Sequence, residues 1–585
     1  MSRRRDASTT DKSAPPTTGR LRWFVHVALL AAACRPPAGP VRPAATASQP
    51  RSNRPTQRPP TAREGDDLLR IEIRGDLDAG IVRVVTTIPP GFEPTEFAAP
   101  APHLVAESLR LEDRSGPVPF ELTSTEAGLR VRTGRPLESP ATLSYALRPD
   151  DAPVPLHDLR VTPTAAFVKG EALLLPVAQG AVPKANAAIA PCGPARRAAS
   201  TLALVDGPVP LHLVRRADFS CGFEWTVRFE EFAGALDLVA AEGHLPFDVR
   251  WAAAEIAVLR SAVDLRLGST TPAPFVTLLR MDDLSPPAPE LVWRLRARGM
   301  TLAVGRFSTW DDAMRIDVAT ALVQRWLAGR FPLDPPPEEV ALAPTWWTVG
   351  LARFVAMEIL AEEGLLGTTA YAAALDEAEL EVARPSSPGP ARRLARSAAS
   401  GLLFALAADR HLRARGFRGG IPGLVAEVIA DHQTNPRRGI RWEAWIDALE
   451  GRGGPELRRR FEEMLRDGRR PQIPRDALAP CLLPRVRTTT LWDPGLFDPR
   501  TAARGFGTVE GLDPDGAAAA AGVRAGDVIR AFEIASEKTP PRVRLEVERD
   551  GEVESFDFPA RRVSVRHVEW IRPRNAPVDR CGPPS

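Results

Sequence analysis

The hydrophobic periodicity of this chain changes twice, and those changes decide what it can fold into. From about Asp66 to Pro176, apolar and polar residues alternate in short runs such as LLRIEIRGDL, GIVRVVTTIP and ATLSYALRP, parted by Gly, Pro and Asp. This is the pattern of half-buried strands joined by turns, and its regular spacing predicts a β-sandwich over residues 66–195. A Pro- and Ala-rich joint, AVPKANAAIAPCGPARRAAS, follows, with further strands expected around TLALVDGPVPLHLVRR and FEWTVRFEEF. Near Asp248 the spacing becomes helical, in FDVRWAAAEIAVLRSAVDLRLG. Strands are expected at FVTLLRMDD and MTLAVGRFS, after which helices resume. Strands and turns return from about Leu491. A chain of 585 residues exceeds what one core can organise. The expected class is therefore multidomain α+β: a β-sandwich at 66–195, a mostly helical domain at 196–480, a small β domain at 485–565 and a tail at 566–585.

The N-terminus reads as a targeting segment over 1–34. Arg3, Arg4, Arg5, Arg20 and Arg22 precede an apolar run, WFVHVALLAAAC, that ends at Cys34. The run has signal-peptide length and is too short to span a bilayer. Small residues before a Cys resemble a bacterial lipobox, although Leu30 stands one place early and Ala31 occupies the usual Leu position. Cys34 is then the expected lipidation site, with a plain secretory signal as the alternative. The Pro-rich stretch 35–65 composes a tether without a core of its own. The expected location is the bacterial envelope, reached by export and a lipid anchor to the membrane. Net charge is +3, from 76 basic and 73 acidic residues, so nothing electrostatic argues for nucleic acid as a partner. Cys192, Cys221, Cys481 and Cys581 make an even set for an oxidising compartment. Three connectivities are possible. Cys192–Cys221 and Cys481–Cys581 are favoured, because each pair brackets one region.

Two segments carry the functional question: IDVATALVQRWLAGRF from Ile316 to Phe331, and PTWWTVGLARFVAMEILAEEGLL after it. They resemble the zinc-binding helix pair of the glycyl-aminopeptidase family of gluzincins. The resemblance implies an N-terminal β-domain, a thermolysin-like domain and a C-terminal PDZ domain. In that family a Trp follows H-E-x-x-H, and a W-x-x-E-G-F segment supplies the third ligand. Aligned on Trp326, Thr320 and Gln324 stand where the two His would be, and Ala321 stands where the Glu would be. Aligned on Gly350, Val349 replaces the ligand Glu. Zinc needs imidazole, thiolate or carboxylate donors. None of the eight His residues lies in either segment, and no two are four apart. The reading is a domain with no metal, no cofactor and no catalytic residue, Thr320, Ala321, Gln324 and Val349 being degenerate positions. The bland alternative is a pair of ordinary core helices. Glu358, Glu362 and Glu363 are expected on a solvated face.

The stretch TVEGLDPDGAAAAAGVRAGDVIRAF resembles a PDZ core, with Gly522 ending a short helix and Gly526, Asp527 and Ile529 leading into a strand. Asp550–Gly551 is the expected hairpin turn. Gly495, Leu496 and Phe497 are the candidate carboxylate-binding loop. The interval EIASEKTPP is too short for the helix that would wall the peptide groove. The function expected is non-catalytic binding or scaffolding of a protein or peptide at the envelope. The alternatives are an active aminopeptidase-like metallopeptidase with non-standard residues, and a PDZ-based sorting factor.

Overall fold

The computed structural model describes residues 68–577 and Cys581, apart from short internal stretches, chiefly 150–158, 178–183, 231–235, 268–274, 283–290, 331–344, 385–389, 434–441, 497–507 and 536–539. The expected signal segment, its Cys34 and the tether lie outside the described residues.

The β-rich part begins with a six-stranded sheet. Its spatial order is Ala185–Ile189, Leu69–Asp76, Ile81–Ile88, Ala141–Leu147, Leu104–Asp113 and Gly116–Pro117. Along Leu69–Asp76 the residues Leu69, Ile71 and Ile73 are buried and Arg70 and Glu72 exposed, as alternation demands. A four-stranded sheet made of Leu175–Pro176, Glu96–Ala99, Gly128–Thr133 and Phe120–Thr125 contributes Phe97 and Val131 to the same core. A further sheet enlarges this stack: Ala198–Ser200, Asp218–Cys221, Ala166–Lys169 and Leu159–Val161. The β-rich part therefore runs past residue 195 to Cys221, and it is not a simple two-sheet sandwich. The Cys192–Cys221 disulfide, with Cα atoms 5.3 Å apart, closes it. LHLVR, expected as strand, is a single helical turn, α1 (Leu211–Arg215); Pro210 before it has φ preset at −59°.

A five-stranded mixed sheet comes next, in the order Trp225–Glu230, Leu236–Glu242, Phe275–Asp282, Gly299–Gly305 and Leu291–Arg296. Its three central strands are parallel. The crossover between the first two of these is α2 (Val249–Arg266). Asp248 caps it, its carboxylate accepting from the backbone N–H groups of Arg250 (2.8 Å) and Trp251 (3.3 Å). Charges buried at the seam join this sheet to the β-rich part. Arg296 meets Asp218 at 2.7 Å and Glu171 at 3.1 Å. Thr301 donates to Asp218 at 2.5 Å. Arg280 lies over the Phe167 ring at 4.0 Å and faces Glu242 at 3.4 Å. Burial pushes the Asp218 carboxyl above its usual range, and Arg296 and Thr301 oppose that shift.

The helical part comprises α3 (Asp312–Arg330), a π-helical turn (Trp346–Leu351) running into α4 (Ala352–Glu362), α5 (Thr368–Ala383), α6 (Pro390–Ala414), α7 (Gly420–Gln433), α8 (Trp442–Gly453) and α9 (Pro455–Asp467). These helices share one core with the mixed sheet. Among the described residues no helix is long and apolar enough to cross a membrane.

The C-terminal region leaves and re-enters the helical part as an antiparallel ribbon. Leu483–Asp493 pairs with Arg561–Ile571 along its whole length. Beyond the ribbon lie α10 (Ala517–Ala520) and a three-stranded sheet of Val528–Ala535, Arg542–Arg549 and Glu552–Pro559. Asp550 (φ 53°) and Gly551 (φ 84°) form its hairpin turn, as expected. Of residues 566–585, expected as a tail, 566–571 instead form the base of the ribbon. Trp570 is buried in the helical core. Its backbone N–H donates to Asp376 at 2.6 Å, and the Thr368 hydroxyl donates to the Cys581 carbonyl at 2.5 Å. The Cys481–Cys581 disulfide spans 100 residues, for which chain entropy alone supplies about 4–5 kcal/mol.

Two predictions arise from these contacts. Asp218→Ala leaves Arg296 buried without its nearest carboxylate and is expected to cost about 3–5 kcal/mol, read from the thermal and denaturant midpoints. Burial pushes the Asp376 carboxyl up to about 6, with Glu569 adding to the rise and His567 and Arg487 opposing it. A folded-state value above the unfolded one means that the folded chain holds this proton more tightly. The ionised group therefore costs stability as pH rises through that value. Asp376→Asn keeps an acceptor for Trp570 without the charge. It is expected to melt above the parent at ~pH 7–8 and together with it below ~pH 4.

Candidate functional site

On α3, residues Asp317, Thr320, Ala321 and Gln324 share one face by their 3.6-residue spacing. Thr320 is buried, and its hydroxyl donates to the Ile316 carbonyl of the same helix at 2.6 Å. Ala321 is fully buried and offers no polar atom. The Gln324 side-chain oxygen accepts the indole N–H of Trp293 at 2.9 Å. Trp293 belongs to Leu291–Arg296, the edge strand of the mixed sheet, so an aromatic side chain reaches from the sheet to this face of α3.

Val349 sits in the π-helical turn that packs against α3. The turn is pressed onto α6 by two glycines. A Cβ on Gly350 would lie 2.3 Å from the Ala398 carbonyl oxygen, and one on Gly401 would lie 2.4 Å from that of Trp346. Only residues without a side chain allow backbones so close. The two tryptophans that precede Val349 by sequence are core aromatics. Trp346 meets Phe461 edge-on at 4.7 Å between centroids, and Trp347 meets Trp445 at 4.8 Å.

One turn beyond Val349, Arg353 bonds Asp317 at 3.1 Å and Glu377 of α5 at 3.2 Å. An ion pair thus ties α3 to α4 on the side where the aligned positions lie. Asp317 and Arg353 escaped sequence reasoning, although each stands a single helical turn from a position already singled out. Glu358, expected on a solvated face, is instead buried on α4, where it accepts from the Tyr371 hydroxyl at 2.6 Å and from Arg410 at 3.2 Å. Burial, with the Glu358 charge beside it, raises the Tyr371 hydroxyl well above its ordinary value. Glu362 and Glu363 are exposed as expected and face Arg266.

These donors do not suit zinc. The Thr320 hydroxyl proton is spent on its own helix, the Gln324 oxygen on an indole, and Ala321 and Val349 have nothing to offer. Among the described residues no three His, Cys, Asp or Glu side chains stand together as a metal site. Ser220 donates to the Ala166 carbonyl at 3.2 Å, and Ser200 accepts from the Leu202 N–H at 3.2 Å, so both hydroxyls serve the local fold.

In the C-terminal module, Gly522 (φ 100°) and Gly526 (φ 90°) take left-handed conformations, and Ile529 is in the core. Asp527 accepts from Arg549 at 2.6 and 2.9 Å and from the Arg524 N–H at 2.8 Å. The Arg549 guanidinium holds its carboxyl below the usual range. Gly495 (φ 79°) has its N–H on the Asp493 carboxylate at 2.9 Å and its carbonyl on the Asp513 N–H at 2.7 Å. Leu496 is buried with Val509, Ile529 and Phe532. Phe497 lies outside the described residues.

No protein-family model and no curated protein sequence matches the chain. Solved structures do. An aminopeptidase N family protein from Idiomarina loihiensis superposes with a TM-score of 0.60 at 14% identity, over 86% of this chain and 98% of its own. An M1 zinc metallopeptidase from Deinococcus radiodurans matches with a TM-score of 0.41 at 14% identity, over 69% of this chain and 95% of its own. Native yeast LTA4 hydrolase matches with a TM-score of 0.43 at 10% identity, over 69% and 68%. The first comparison shows a shared multidomain α+β fold, with an N-terminal β-rich part followed by a helical one.

The glycine crossing makes a further prediction. Gly350→Ala and Gly401→Ala are each expected to lower stability by at least about 1–3 kcal/mol, measured as a fall in thermal midpoint.

Proposed function

We propose that this protein is a pseudopeptidase, a metallopeptidase-like body that binds or scaffolds a protein or peptide without cleaving it. The observation that carries this reading is the commitment of the aligned side chains. Thr320 and Gln324 are bonded within the fold, Ala321 and Val349 are apolar, and the Arg353–Asp317 pair links the helices there. Hydrolysis of a peptide by a gluzincin needs a polarised water and a carboxylate base beside it. Neither the donor set nor Ala321 provides for these. The surface between the β-rich part and the helical part is the proposed binding face, as concave sites between such parts commonly are.

The same reading places the protein in the bacterial envelope. The two disulfides are consistent with an oxidising compartment, and the lipobox-like Cys34 supplies the proposed anchor. The C-terminal module is proposed as a PDZ-like unit with a reduced groove. The burial of Leu496 and the use of the Gly495 N–H and carbonyl within the module support a structural role for that loop over capture of a peptide carboxylate.

Metal analysis and a peptidase assay of the purified protein test the proposal together. The expected result is zinc far below one equivalent and no cleavage of aminoacyl or peptide substrates. About one equivalent of zinc, removed by a chelator together with peptidase activity, would establish the active-metallopeptidase alternative.

A further inference from the structure

We propose that a cleft between α6 and α9 binds a small amphiphilic carboxylate, a carboxylate group carried beside an apolar one. The cleft measures about 490 Å³, within the size range of small-molecule sites. Phe404 and Ala407 of α6 and Leu457 of α9 make its apolar floor, all three buried. Its wall carries Arg459 and Arg460 on α9 and Arg469 and Arg470 just beyond it.

Among the residues that line this cleft, guanidinium groups outnumber carboxylates. Four guanidinium groups face two carboxylates, Glu456 and Glu463. Each carboxylate is shared. Glu456 serves Arg459 at 2.8 Å and Arg460 at 2.7 Å. Glu463 serves Arg459 at 2.5 Å and Arg469 at 3.2 Å. A guanidinium has five N–H donors, so two carboxylates cannot saturate three of them. Arg470 is paired with Glu379, which does not line the cleft. That residue is only 2% exposed on α5, and Arg469 also approaches Asp467, outside the cleft lining, at 3.9 Å. Ordinary i,i+3 and i,i+4 pairing on a solvated helix explains Arg459 and Arg460 one by one. It does not extend to Arg469 and Arg470, which stand beyond the end of α9 and bring two more guanidinium groups, paired in part outside the cleft, to the rim of the same hollow.

Excess planar donors above an apolar floor match a carboxylate fork whose attached group seats against Phe404 and Leu457. Two sources offer that chemistry, the C-terminal residue of a peptide and a free fatty acid. The inference does not depend on the pseudopeptidase reading, because none of these residues belongs to the face formed by Thr320, Gln324 and Arg353.

Calorimetric titration of the full-length protein with N-acetyl-phenylalanine, its amide, octanoate and inorganic phosphate tests the proposal. The expected result is saturable binding of at least one carboxylate at about 1 mM or tighter, with the amide and phosphate weaker by about tenfold or more. Preference for N-acetyl-phenylalanine assigns a peptide terminus, and preference for octanoate assigns a fatty acid. Arg460→Ala and Arg469→Ala, both on exposed side chains, are each expected to weaken that binding by about tenfold without moving the thermal midpoint. Absence of saturable binding by either carboxylate overturns the proposal. So does phosphate binding of equal strength, or binding that survives the Arg460→Ala/Arg469→Ala double variant.

Discussion

Two layers of this protein depend on charges held at their seam, where Arg296, Arg280 and Asp218 are buried and Glu171 is partly exposed. Arg296 and Arg280 belong to the mixed sheet, while Asp218 and Glu171 belong to the β-rich part, and they meet where the two sheets abut. Desolvating such ions is costly, and only their mutual pairing offsets it. The pairing therefore works as a register pin. A β-rich part shifted along the mixed sheet would strand Asp218 without a guanidinium. Apolar residues at the same seam would bury area with less directional preference. The helical core is built on the other face of the sheet, so its position relative to the β-rich part follows from these contacts.

Above the sheet, the helices are held by close approach. Gly350 and Gly401 let the π-helical turn sit directly on α6, and Trp346 and Trp347 of that turn pack against Phe461 and Trp445. The Arg353–Asp317 pair then links α3 and α4. In a zinc enzyme of the proposed lineage, a metal ion would make such a link. Here a surface-accessible ion pair makes it, which asks much less of the surrounding geometry. The indole of Trp293 on Gln324 further reduces the polar surface available on that face of α3.

Much of this was legible from residue order. The long helices were, because Ile316, Ala319, Leu322 and Val323 on α3 and their counterparts elsewhere recur at helical spacing. Both disulfides form as their bracketing positions suggested, and Asp550–Gly551 turns as that dipeptide should. Leu236–Glu242 was missed because an inner parallel strand is buried on both sides and shows no alternation. Leu291–Arg296 was missed although SPPAP before it and Gly299 after it punctuate the run. Within the candidate site, the identities of Thr320, Ala321, Gln324 and Val349 could be read, but what each touches could not. The Trp293–Gln324 bond joins residues far apart in sequence. Glu358 looked like part of an acidic, solvated run, and only the packing of α5 and α6 reveals that Tyr371 and Arg410 enclose it. The ribbon's second strand looked like a tail because its partner lies on the far side of the whole module.

That ribbon has a consequence for how the chain is assembled. Leu483 and Ile571 are partners at its base, so everything between them departs from the helical body and returns to it at one point. The Cys481–Cys581 bond and the seated Trp570 clamp the base from both sides. The outer module is thus topologically a loop of the helical domain, however large its own core. Through such a single doorway a lineage can exchange, enlarge or discard a recognition cartridge while the body beneath it keeps its form.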